Sequence, residues 1–249
     1  LIMCGRYAQT ADMRELMEQF SVTGTSPESS LPLNWNIAPT NPIYIVRAND
    51  KSGSDAGKQK ELAVVSWGLI GLWLTDYQEA RASQSRAINA RSESIHEKPT
   101  FRNAFRATRC LIPATGYYEW ATALGKYSPK QPFYISARDG NQLPIAGIWS
   151  SWRAPNGEVI ETASIITQEA QGELQTIHSR MPVFMPLDRW DTWLNPRNTD
   201  VNELKSLMVV EKPESIVKAY PVSSAVNTVA NNGKGLIAEV PLGEPETLF

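Results

Sequence analysis

From Cys110 to Thr167 the chain reads as one strand after another, and no other stretch limits the fold as much. Cys110-Leu111-Ile112-Pro113-Ala114 is a short apolar run of the kind that starts a buried strand. Gly116-Tyr117-Tyr118-Glu119-Trp120 continues it, with aromatics around one acid. Phe133–Ala137 and Ile145–Trp152 are expected as the next two strands, turned by Asp139-Gly140, with Thr162–Thr167 as another. Ile43–Arg47 and Leu62–Trp67 are apolar runs with β-branched content, joined by a polar hairpin loop over Asn49–Glu61. Cys4–Gln9 and Val217–Val222 supply an early and a late strand. The pattern predicts an α+β fold with a mainly antiparallel core.

Helices are expected to be short. Thr10 reads as an N-cap with Asp12 in the first turn, and Met13, Leu16, Met17 and Phe20 form one apolar face. A short helix is expected over Tyr77–Ala82, and Phe101–Thr108 is expected to be partly helical. Thr167 can cap a helix to about His178, with Ala170, Leu174 and Ile177 on one face and Pro182 ending it. Leu187–Leu194 and Val201–Met208 read as helices, the second capped by Asp200. Trp35–Thr40 reads as irregular, because Pro39 biases Ala38 toward an extended conformation. With neither a repeat nor a long linker, a single domain over 1–249 is expected, with a tail from about 236.

Net charge is −2, which argues against bulk, salt-driven coating of nucleic acid but not against a local basic groove. Arg81, Arg86, Arg91, Arg102, Arg106 and Arg109 cluster in one stretch, which alone reads as a solvated basic face. Two cysteines make no disulfide framework, and His96 and His178 are the only histidines, so no metal or other cofactor is expected. No membrane span or secretion signal is read, and the expected compartment is a reducing, bacterial-type cytoplasm. A monomer is expected.

Met3-Cys4-Gly5-Arg6-Tyr7 carries the most unusual chemical potential. Removal of everything through Met3 gives Cys4 a free α-amine beside its thiol. Such a 1,2-aminothiol condenses with an aldehyde to an imine, and the thiol then closes a five-membered thiazolidine. An α-amine titrates near about 7.7–8.0 and a thiol near about 8.5, so both have a reactive fraction at neutral pH. Cys4 read alone is also compatible with a small apolar residue opening a strand. Glu119, between Tyr118 and Trp120, is either a buried proton shuttle or a strand residue turned to solvent. His178 is either a proton carrier or a helix-end histidine, and Asn89 with Arg91 can address a phosphate or sugar oxygen.

Several motifs together carry a resemblance: Cys4-Gly5-Arg6-Tyr7, Trp35-Asn36-Ile37-Ala38-Pro39, Trp67-Gly68-Leu69, Ile88-Asn89-Ala90-Arg91-Ser92-Glu93 and Phe101-Arg102. Arg109-Cys110-Leu111-Ile112-Pro113, Gly116-Tyr117-Tyr118-Glu119-Trp120, Ile177-His178-Ser179-Arg180-Met181-Pro182 and Pro221-Val222-Ser223 extend it. In this order they resemble the SOS-response-associated peptidase (SRAP) family over nearly the whole chain. The resemblance implies one α+β domain with a bifurcated, barrel-like sheet and peripheral helices, acting on abasic sites in single-stranded DNA. It implies that Cys4, once exposed, forms a thiazolidine crosslink with the ring-opened sugar aldehyde. Glu119 would shuttle protons, His178 would assist ring opening and reversal, and Asn89 would orient the sugar or the amine. Arg6, Arg91 and Arg180 would hold phosphates, while Trp67 and the Asn36–Pro39 loop border the DNA, with Gly5 and Gly68 in the same DNA-facing set.

The sequence departs from that pattern in three places. Leu1 and Ile2 precede Met3, so residues 1–3 would have to be removed; Thr115 stands where Asp is common; and Gly71-Leu72-Trp73 replaces a proline-containing version. Two other readings remain. Cys4, Glu119 and His178 could serve a thiol hydrolase, or Trp67 and the arginines a non-catalytic single-strand binder.

Overall fold

The computed structural model describes residues 4–49, 59–121 and 130–242. Residues 1–3, the 50–58 part of the expected hairpin loop and 243–249 of the expected tail lie outside the described residues. Five strands close into a ring: β3 (Pro42–Ala48), β4 (Lys60–Trp67), β6 (Arg109–Ala114), β9 (Leu143–Arg153) and β10 (Val159–Glu169). Their order is β10-β4-β3-β6-β9, and β9 returns to β10. Every pair is antiparallel except β4 with β10, where Ser66 meets Thr162 and Trp67 meets Ala163 in parallel. Two short strands also join β10: β5 (Asn89–Arg91) in parallel and β11 (Arg180–Pro182) antiparallel.

A second sheet stands against this barrel. Its order is β12-β8-β7-β1-β2, built from β1 (Tyr7–Gln9), β2 (Asn34–Ile37), β7 (Gly116–Trp120), β8 (Pro132–Ala137) and β12 (Val217–Pro221). β7 does not continue β6. The chain passes from barrel to second sheet at Thr115, whose hydroxyl accepts from the Thr10 amide and pairs with the Thr10 hydroxyl. Thr115 thus fixes the corner after β1. Likewise β8 and β9 belong to different sheets, so Asp139-Gly140 turns the chain between layers rather than within a hairpin.

The middle stretches of β3 and β6, Ile43–Val46 and Cys110–Ala114, are apolar because both of their faces are covered. Ile43 and Ile45 join a cluster that also contains Cys4, Tyr7, Tyr117 and Ile135 of the second-sheet side. Tyr44 and Val46 turn the other way, to a cluster with Leu16, Phe20, Trp190 and Trp193. The first helix, α1 (Met13–Gln19), presents Leu16 to that second cluster, as its spacing predicts. Its N-cap is Asp12 rather than Thr10, with a capping box to Glu15.

Other helices are α2 (Tyr77–Arg86), α3 (Arg102–Ala107), α4 (Trp190–Leu194) and α5 (Val201–Leu207), the last capped by Asp200 as expected. The helix expected from Thr167 to His178 does not form. Thr167 pairs with Pro182, β10 runs on to Glu169, and Gly172 adopts a left-handed φ of 56° before a 3-10 turn over Gly172–Thr176. Trp35–Ile37, read as irregular, belongs to β2 and pairs with β1. Residues 236–240, read as tail, are held against β12: Leu236 is buried, Tyr220 Oη donates to the Ile237 carbonyl, and Val222 bridges Glu239.

Candidate functional site

Cys4 lies just ahead of β1, in the apolar cluster shared by barrel and second sheet, with a positive φ of 42°. Glu119 comes from β7, two residues beyond Tyr117 and on the same strand face. The Cys4 backbone N–H donates to Glu119 Oε1 at 2.7 Å, and the thiol approaches the same oxygen at 2.9 Å. Both residues are buried. Strand alternation therefore turns Glu119 to the core, resolving the ambiguity left by the sequence. Burial pushes the Glu119 carboxyl above its ordinary value, against the pull of His178 and the Cys4 donors. Burial and then Glu119 hold the Cys4 thiol well above its ordinary value, while Arg180 pulls it down.

His178 follows the 3-10 turn and is buried; its Nδ1 accepts from the Arg180 amide at 3.1 Å. Ile177, beside His178 in the chain, lies in the same apolar cluster as Cys4, Ile43 and Tyr117, so barrel and second sheet contribute to one site. Asn89 enters on β5, beside Ile165 of β10. Arg180 opens β11 and is bound in bidentate fashion by Glu93. Arg91 is exposed at the end of β5.

Other residues expected at the DNA surface have different surroundings. Trp67 is 0% exposed, donates from Nε1 to the Ile88 carbonyl and meets Tyr7 edge-on, so it has no face for a base. Asn36 is buried: its Oδ1 accepts from Arg6, and its Nδ2 donates to the carbonyls of Val226, Thr228 and Asn231. It therefore anchors the chain after β12 rather than bordering DNA. Arg6 Nη1 is shared between Asn36 and the Val226 carbonyl, which ties part of that guanidinium to the scaffold. Pro39 sits in a turn tied to β4 through Thr40 and Asn41, and Gly5 precedes β1; both are partly exposed. Gly68 is buried with φ 111°, and a Cβ there would stand 2.3 Å from the Gln84 carbonyl, so its glycine serves a tight turn.

Arg109, counted in the basic run, is buried and donates to the carbonyls of Phe105, Trp193, Asn195 and Asn198. Burial lowers its pKa to about 10. Two residues gain importance. Trp73 is 52% exposed, beside the exposed Leu72, and is the indole open to solvent near the Trp67 motif. An indole in the mixed, polar-rich stretch 72–85 is the signal for it. Glu93 appeared within a motif without a role, and its pairing with Arg180 spans residues too distant in sequence for any local pattern to show.

The family described as SOS response associated peptidase (SRAP) matches residues 3–229. The chain belongs to this family. It is 35% identical over 235 residues to the abasic site processing protein YoqW of Bacillus subtilis (strain 168), covering 94% of this chain and 99% of the relative. It is 27% identical over 244 residues to the abasic site processing protein HMCES of Mus musculus, covering 87% of this chain and 67% of that one. A crystal structure from Bacteroides thetaiotaomicron aligns with a TM-score of 0.80 at 25% identity, covering 95% of this chain and 100% of the other. One from Bordetella bronchiseptica aligns at 0.72 and 26% identity, covering 88% and 100%. The SRAP membership and the barrel-plus-sheet architecture thus agree, as the sequence motifs led one to expect.

Proposed function

We propose that this SRAP protein senses abasic sites in single-stranded DNA and traps them covalently through Cys4, after residues 1–3 are removed. The observation that carries this reading is the convergence of the Cys4 nitrogen and thiol on one buried carboxylate oxygen. Relatives named as abasic site processing proteins support the substrate.

An abasic site is an aldehyde in equilibrium with its closed hemiacetal. His178, next to Ile177 of the apolar cluster that holds Cys4, helps open the sugar ring. The free Cys4 amine adds to the aldehyde carbon, giving a carbinolamine. Glu119, kept protonated more readily by burial, protonates the departing hydroxyl, which leaves as water and yields an imine. The imine so formed keeps its N–H and is cationic; the carboxylate takes the thiol proton, which restores the acid, and sulfur bonds to the imine carbon, leaving a neutral ring nitrogen. Aldehyde plus aminothiol gives thiazolidine plus one water. Asn89 orients the sugar or amine, Arg91 and Arg180 face phosphates, and Trp73 offers the stacking surface that Trp67 lacks. The core common to both sheets supports treating the chain as one domain.

The same thiol beside Glu119 could act on the Met3–Cys4 bond, which would account for self-processing. A Cys/His hydrolase reading is less well supported: the thiol's acceptor is a carboxylate, and His178 Nδ1 is occupied by Arg180.

Cys4→Ala with a free α-amine tests the chemistry. It retains the imine-forming group and should still nick abasic strands by β-elimination, while losing the heat-stable adduct on a denaturing gel. A stable adduct with this variant contradicts the role of the thiol.

A further inference from the structure

Arg180 is 9% exposed, and the anion it binds is not: the Glu93 side chain is 50% exposed. Nη1 donates to Glu93 Oε1 at 2.6 Å and Nη2 to Oε2 at 3.0 Å, while Nη2 also donates to the Thr167 carbonyl at 2.8 Å. Thus a solvent-facing carboxylate lies over a nearly buried cation whose charge reaches Cys4. Two oxygens on the fork of a guanidinium is also how a phosphate binds arginine. Beside Glu93 is a hollow of about 310 Å³ whose lining includes Ser92, Gln168, Gln171, Lys205 and Val209.

We propose that Glu93 is a latch on Arg180: its carboxylate holds the guanidinium edge that a backbone phosphate takes when a strand enters, and it turns aside into the hollow as the strand seats. This rests on the single-stranded DNA reading above and specifies how its phosphate clamp is kept closed. A carboxylate left in place would oppose the incoming phosphate with like charge. The hollow gives the displaced side chain room, and Lys205 gives it a cation to face. Exchange of one oxyanion for another leaves Arg180 paired throughout, so the cation beside the nucleophile is never left bare.

The test is binding of the full chain to an unmodified all-thymidine single strand, by fluorescence anisotropy across a salt series. Glu93→Gln removes the competing charge and should bind on the order of threefold to tenfold tighter. Its log Kd against log salt should run parallel to the parent's, because the same phosphate meets Arg180 in both complexes; a slope steeper by about 0.7, one more phosphate contact, would mean that the parent never releases Arg180 and overturns the latch. Glu93→Asp keeps the charge and should track the parent. The gain should vanish in an Arg180→Gln background; if that variant does not fold, the salt slope of Glu93→Gln decides alone. Unchanged or weaker binding by Glu93→Gln, or the same gain without Arg180, overturns the latch. A parent protein that binds no single strand overturns the DNA reading and the latch with it.

Discussion

At the residue scale the site depends on what one carboxylate does when it is buried. Among the described residues no arginine or lysine is hydrogen-bonded to Glu119; the Cys4 nitrogen and thiol donate to it, with the Trp120 backbone. An ionised carboxylate in such a place is costly, and the carboxyl accordingly holds its proton more tightly than in the unfolded chain. Linkage fixes the sign. Stability from a raised carboxyl is fully present below the ordinary value near about 4.3 and is lost as pH rises through the folded value. Glu119→Gln keeps an acceptor oxygen and removes the titration. Its thermal midpoint should therefore gain on the parent as pH rises through and above the carboxylate range. Its crosslinking rate should fall on the order of 10²–10⁴-fold, the usual contribution of a positioned acid and base. A parent and variant whose midpoints run parallel across pH would contradict the buried-acid account. The motifs single out Cys4 and Glu119; that the Cys4 nitrogen and thiol converge on one Glu119 oxygen was not legible, because the pairing spans 115 residues.

At the element scale the end of β4 and the segment after it separate two tryptophans that look alike in sequence. Trp67 closes the strand with its ring in the core and its Nε1 on Ile88, whereas Trp73 follows in a surface turn. Trp67→Ala should lower stability by about 3–5 kcal/mol, as for other buried aromatic truncations. Trp73→Ala should leave the thermal midpoint nearly unchanged and weaken single-strand binding by about 1–3 kcal/mol, the worth of one stacked base. Thermal melts and anisotropy titrations check both, and exchanged effects would contradict the assignment. Apolar runs such as Ile43–Arg47 and Cys110–Ala114 were legible as strands because burial on both faces leaves little else for them to be. Ala170, Leu174 and Ile177 were misleading because helical spacing survives in a 3-10 turn, where Leu174 and Ile177 still reach the core. Pairing of β10 with β11 overrides local propensity there.

At the scale of the whole molecule, barrel and second sheet meet in the apolar cluster that holds Cys4. β7 brings Glu119 from one side; from the other, Ile88 and Ile177, the chain neighbours of Asn89 and His178, join the apolar cluster that holds Cys4. Neither layer holds the set alone, and the sequence could show the layers only as a list of strands, since the crossings at Thr115 and Asp139 look like ordinary turns. The chain has two cysteines, Cys4 and Cys110, both free. That makes a thiol count the most direct test of the central claim. Protein beginning at Cys4, and protein retaining residues 1–3, would each be incubated with a single strand carrying one abasic site, and any adduct isolated and titrated under denaturing conditions. The account predicts a heat-stable adduct from the form beginning at Cys4, with one titratable thiol, Cys110, because the Cys4 sulfur is in the ring. An adduct with both thiols still free, or no adduct from the form beginning at Cys4, would contradict it.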